Sequence, residues 1–167
     1  MNPQVDIQSA TAEPVPEEED IRRWVAAALA GVPESARLQA RHAAPELTVR
    51  LVDGPEMTHL NTSFRAKSGA TNVLSFPADL PAELELPLLG DIVICAPVVR
   101  REAAEQGKTL AAHWAHMTVH GTLHLLGYDH LEEADARTME ALESVILRGL
   151  DFDCPYAKTR IAEQVVS

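Results

Sequence analysis

With 167 residues, 46% of them hydrophobic, the chain is long enough to bury the core of one domain. Its net charge of -11 counts against a protein that wraps nucleic acid non-specifically through a broad positive surface. No apolar run approaches the ~20 residues that span a bilayer, the N-terminus lacks the blocks of a secretory signal, and two isolated cysteines outline no disulfide framework. A single cytoplasmic domain over 1–167 is therefore expected, with 1–20 readable as a loosely attached N-terminal segment.

Val5 to Gln8 alternates weakly and predicts a short edge strand, after which Pro14 and Pro16 mark a loop. Residues 17–30 open on four acids and carry Ile21, Trp24, Val25, Ala28 and Leu29 on one side, the pattern of an amphipathic helix stopped at Gly31 and Pro33. Glu46 to Asp53 alternates with period two and predicts a strand ending in an Asp53-Gly54 turn. Glu56 to Phe64 reads as a short helix, Asn72 to Phe76 as a strand cut off by Pro77, and Leu89 to Cys95 as a buried strand that places Cys95 in the core. Helices are then expected over 96–106, 109–126 and 131–149, with Cys154 exposed beyond them. Strands among helices with mixed connections predict an α+β fold, loosely mixed α/β: a small mixed sheet covered by about five helices.

The chemistry concentrates in His120-Gly121-Thr122-Leu123-His124-Leu125-Leu126-Gly127-Tyr128-Asp129-His130. His120 and His124 are one helical turn apart, so both imidazoles leave one face near the end of the long helix. Gly127 allows the chain to turn back without a Cβ penalty, so that His130 closes a three-histidine zinc site. Three protein nitrogens leave one tetrahedral position open, as catalytic zinc sites do. Zinc proteases share these histidine and glycine positions but carry a glutamate base after the first histidine, where this chain has Gly121. His113 and His116 fall in the same quadrant of the helix, and His116 with His120 is an alternative i, i+4 pair. The set His120, His124 and His130 is preferred because it includes the glycine turn; His116 is then a neighbour of the ligands or a substrate-facing group, and His113 is partly exposed.

Leu60-Asn61-Thr62-Ser63-Phe64-Arg65-Ala66-Lys67, Ala70-Thr71-Asn72-Val73-Leu74-Ser75-Phe76-Pro77 and Leu89-Gly90-Asp91-Ile92-Val93-Ile94 precede the histidine segment in order, and with it the chain resembles the YbeY family of bacterial endoribonucleases. The resemblance covers roughly residues 46 to 156 with specific motifs and, more loosely, the whole chain, although residues 1–20 find no clear counterpart. It implies a four-stranded sheet, one zinc ion per chain on the three motif histidines, and action on single-stranded RNA at the 3′ end of the small-subunit ribosomal RNA, with a role in ribosome quality control. Arg65 falls on the family's functionally important arginine and His120 on its first motif histidine, so both are expected to be catalytic. Phe64 stands where many members have tyrosine, and Asn72 where aspartate is also common.

The residue chemistry is compatible with that assignment. Zinc lowers the pKa of water to ~7 and polarises phosphoryl oxygens, and a guanidinium such as that of Arg65 presents paired donors to a phosphate. Lys67 either steers RNA or is merely solvated, Ser75 and Thr71 flank a strand where hydroxyls can hold phosphate, and Asp129 either orients a ligand imidazole or caps the next helix. Arg65, Lys67, Arg100, Arg101 and Lys108 are candidates for a local basic patch, and Asp91 for lining the site. Phe64 and Tyr128 are candidate base stackers, although the core is the more ordinary place for both. Expected partners are single-stranded RNA and the ribosome or small-subunit proteins, with neither membrane nor DNA. The competing readings are a metal hydrolase of another bond, which Gly121 disfavours, and a ribosome-assembly factor whose zinc only staples the fold.

Overall fold

The computed structural model describes residues 3–33, 45–65, 69–78, 88–128 and 132–153. Among these, four strands form one open mixed sheet: β1 (Gln4–Ala10), β2 (Glu46–Val52), β3 (Val73–Pro77) and β4 (Leu88–Cys95). Five helices accompany it: α1 (Glu18–Ala30), α2 (Gly54–Arg65), α3 (Ala96–Gln106), α4 (Leu110–Leu125) and α5 (Glu133–Gly149). The fold is α+β, with strand order β1-β2-β4-β3, parallel throughout except for the antiparallel β3 edge.

β1 is longer than its weak alternation predicts, because it pairs in register with β2 from Gln4 opposite Glu46 to Ala10 opposite Val52. A neighbouring strand here supplies the order that local pattern lacks. The turn expected at Asp53-Gly54 is instead the first turn of α2: Pro55 suits a position whose N–H has no helical partner, and Met57 N–H donates to the Asp53 carbonyl at 3.2 Å.

Alternation along the strands divides the core. Leu47, Val49, Leu51, Ile92 and Ile94 join Trp24, Val25, Trp114, Val119, Leu123, Met139 and Leu147 in the larger cluster, which α1, α4 and α5 cover. Val52, Leu74, Val93 and Cys95 face the other way, against Met57 of α2 and Val98 of α3. α4 lies deepest: it contacts β3, β4, α1, α3 and α5. It is buried nearly all round, so its polar groups must find partners within the protein. Thr118 and Thr122 do so by donating to the carbonyls of Trp114 and Thr118, at 2.9 and 2.8 Å.

Candidate metal centre

α4 begins at Thr109, whose side chain accepts from Ala112 N–H at 3.1 Å. It ends in a Schellman arrangement: Tyr128 N–H donates to the Leu123 carbonyl at 3.1 Å, and Gly127 N–H to that of His124 at 3.0 Å. Gly127 has φ +98, which an L side chain adopts only with strain. The chain therefore reverses immediately after the helix that carries His120 and His124.

Four histidines form a ladder along α4, with ring centroids 5.9 Å apart for His113 and His116, 6.2 Å for His116 and His120, and 4.6 Å for His120 and His124. At its C-terminal end, the Nε2 atoms of His120 and His124 face each other at 3.1 Å. Two nitrogens bound tetrahedrally at ~2.0–2.1 Å lie about 3.3–3.4 Å apart, so the pair is preset close to the separation that one shared zinc requires.

Behind His120 stands a residue that sequence reasoning missed. Glu143 of α5 is 0% exposed. Its Oε1 is hydrogen-bonded to His120 Nδ1, and its Oε2 to His116 Nε2 at 3.2 Å. Burial by itself would raise the Glu143 carboxyl, but the hydrogen bonds and charge interactions with His116 and His120 together outweigh it and hold the group down at about 2. Burial lowers His116 below the ordinary histidine value against the opposing pull of Glu143. The signal for Glu143 was present in the sequence: it is an acid at a core position of α5, among Met139, Ile146 and Leu147.

His116, His120 and Glu143 offer ligand atoms that all lie within 4.8 Å of one another, so this group could hold a metal ion. The direct His120–Glu143 hydrogen bond occupies the space an ion would need between those two atoms. His120 thus turns one ring nitrogen to the Glu143 carboxylate and the other to His124.

The remaining expected site residues divide into those the structure places and those it does not. The side chain of Arg65, and Lys67, Asp129 and His130, lie outside the described residues, as does Cys154. His116 is 7% exposed, and its Nε2 contacts Glu143, which also holds His120. His113, expected partly exposed, is buried: Glu102 of α3 binds its Nε2 at 2.9 Å and also accepts from Asn72 at 3.1 Å. Ser75, expected to hold phosphate, is buried and donates to the Gly121 carbonyl at 3.1 Å, which ties β3 to the middle of the histidine segment. Phe64 is no core residue. It is 65% exposed and meets Phe76 edge-on at 5.5 Å, whereas Tyr128 packs against the larger core. Among the described members of the expected basic patch, Arg100 pairs with Glu13 at 2.9 Å and Lys108 lies 3.4 Å from His116 Nδ1, so they have separate partners.

The family model described as Endoribonuclease YbeY matches residues 5–151. The chain belongs to the YbeY endoribonuclease family. Among its YbeY relatives is one from Stutzerimonas stutzeri (strain A1501), named Endoribonuclease YbeY, 54% identical over 156 residues that cover 93% of this chain and 92% of the relative. Another of the same name, from Pseudomonas syringae pv. tomato, is 51% identical over 161 residues, covering 96% and 92%. A solution structure of a protein from Thermotoga maritima matches with a TM-score of 0.54 at 22% identity, covering 95% of this chain and 93% of that one, and shares the fold. The YbeY match begins at Val5 in β1, inside the N-terminal segment for which motif comparison gave no clear counterpart.

Proposed function

We propose that the chain is a zinc-dependent, single-strand-specific endoribonuclease of ribosomal RNA maturation and ribosome quality control, acting in the cytoplasm with the ribosome or small-subunit proteins. Membership of the YbeY endoribonuclease family makes it a hydrolase of RNA phosphodiester bonds. No described helix is long and apolar enough to cross a membrane. The observation that carries the metal reading is the facing of His120 Nε2 and His124 Nε2 at 3.1 Å, with the other ring nitrogen of His120 held by a buried carboxylate.

In this reading His120, His124 and His130 hold one zinc ion within a single domain. Bound there, zinc supplies Lewis acidity toward water and toward a phosphoryl oxygen. The chain's own groups do the rest. Glu143 keeps the Nδ1 proton on His120 and so fixes the ring's orientation. Arg65 gives paired N–H donors to the scissile phosphate, whose oxygens gain negative charge as the P–O bond breaks. Lys67 adds positive charge along the strand. Asp129 either orients His130 or caps α5, and the exposed face of Phe64 beside Arg65 is available to a base.

The test is cleavage of an unstructured RNA oligonucleotide, and of DNA of the same sequence, by zinc-loaded wild type and by Arg65→Ala holding equal zinc. Cleavage of RNA alone, lost in the variant, is the expected result. Equal RNA cleavage by both proteins would remove Arg65 from catalysis, and none by zinc-loaded wild type would favour the assembly-factor reading.

A further inference from the structure

Lys108, His116, Glu143 and His120 form a chain of three contacts: Lys108 Nζ to His116 Nδ1 at 3.4 Å, His116 Nε2 to Glu143 Oε2 at 3.2 Å, and Glu143 Oε1 to His120 Nδ1. The donor and acceptor chemistry of these groups permits one assignment. A lysine ammonium only donates, so His116 Nδ1 accepts and the proton of the neutral ring is on Nε2. A carboxylate only accepts, so His116 Nε2–H and His120 Nδ1–H both point into Glu143. His120 is then left with its unprotonated Nε2 toward His124. The same assignment commits both ring nitrogens of His116, which removes it from the set of ligands.

We propose that His116 is a positioning residue for the metal: it clamps the far oxygen of Glu143, and Lys108 sets the tautomer in which it can do so. Glu143 needs such a clamp. Its carboxylate, free to rotate, would meet His120 with either oxygen and at varying angle; held at both oxygens between two rings of α4, it presents one oxygen in one direction. Zinc affinity thus depends on a buried histidine that does not touch zinc, and on a lysine placed between α3 and α4, outside the ladder.

The inference rests on the zinc reading above, and the experiment separates the two. Zinc affinity is measured by competition with a chromogenic chelator in wild type, His116→Ala, His116→Gln and Lys108→Met, together with the absorption spectrum of each cobalt-substituted protein and the thermal midpoint of each metal-free one. A wild type that binds no zinc would end the metal reading itself. With zinc bound by wild type, His116→Ala is expected to weaken binding roughly 10- to 100-fold, the usual effect of losing a partner of a metal ligand. Glutamine places an N–H near the position of Nε2, so His116→Gln should restore affinity to within about threefold and keep the wild-type cobalt spectrum. Lys108→Met, which leaves the buried members in place, should weaken zinc several-fold without moving the metal-free thermal midpoint. If His116→Gln binds as poorly as His116→Ala and its cobalt spectrum changes, His116 is a ligand and the proposal is wrong. Wild-type affinity in Lys108→Met, or in a folded His116→Ala, would equally overturn it.

Discussion

Gly121 packs onto Ile92 of β4 so closely that a Cβ built on it would stand 2.7 Å from Ile92 Cγ2. The position that carries the catalytic glutamate in zinc proteases therefore faces the sheet in this chain. A side chain there meets Ile92 before it has room for any other task.

Gly121→Ala should accordingly destabilise the protein by about 1–3 kcal/mol, the usual cost of overpacking a filled core. Ile92→Ala is expected to relieve part of that cost, so urea titrations of the two single variants and the double should show a sum smaller than additivity gives. Strict additivity would mean that the contact is not the source of the strain.

Ser75→Ala tests whether the hydroxyl serves the fold or the substrate. Losing its bond to the Gly121 carbonyl should lower stability by about 0.5–1.5 kcal/mol. KM for RNA, measured on the folded variant well below its unfolding temperature, should stay within about twofold of wild type. A large rise in KM at unchanged stability would return Ser75 to the phosphate-binding role.

Phe64→Ala should raise KM for single-stranded RNA by roughly 5- to 30-fold at nearly unchanged kcat, corresponding to about 1–2 kcal/mol of lost base stacking. Phe64→Trp should keep wild-type KM, and Phe64→Leu should not, because a leucine is apolar without offering a π-face. Since the residue is 65% exposed, none of these changes should shift the thermal midpoint by more than a degree or two.

The metal-free protein should lose stability in two steps as pH falls. Burial holds His113 and His116 below 6.5, the ordinary value that they regain on unfolding. Below about pH 6.5 the unfolded chain then binds protons that the folded one does not, and stability declines. Glu143 acts lower down: its folded value of about 2 lies under the ordinary 4.5, so its stabilisation, on the order of 3 kcal/mol, is complete above that range and disappears as pH approaches 2. Calorimetry between pH 8 and pH 3 would show both steps; His113→Gln should shrink the upper one alone. A midpoint constant down to pH 4.5 would contradict the buried-histidine part.

The sequence marked the elements and half of the candidate centre by different kinds of signal. Period-two alternation located β2, an apolar, β-branched run located β4, and i, i+4 spacing placed His120 and His124 on one helix face, because all three patterns are local. Glu143 escaped because it lies 23 residues from His120 and meets it only through the packing of α5 on α4. His113 escaped for the same reason: a polar residue on a helix reads as exposed until a partner such as Glu102 of α3 is known. Phe64 failed in the opposite direction. Its apolar character predicted burial, but among the described residues its ring contact is the edge of Phe76, which leaves it 65% exposed.

α4 is at once the helix on which α1, α3, α5 and two strands pack and the helix that carries His120 and His124. The backbone that carries the two imidazoles is consequently held by the interior itself. A change that loosens the interior around Trp114 or Leu123 should disturb the candidate centre before the protein melts. Screens for lost activity would then recover buried apolar positions of this helix alongside the histidines, and recombination of segments between relatives would succeed most often when α4 and α5 travel together.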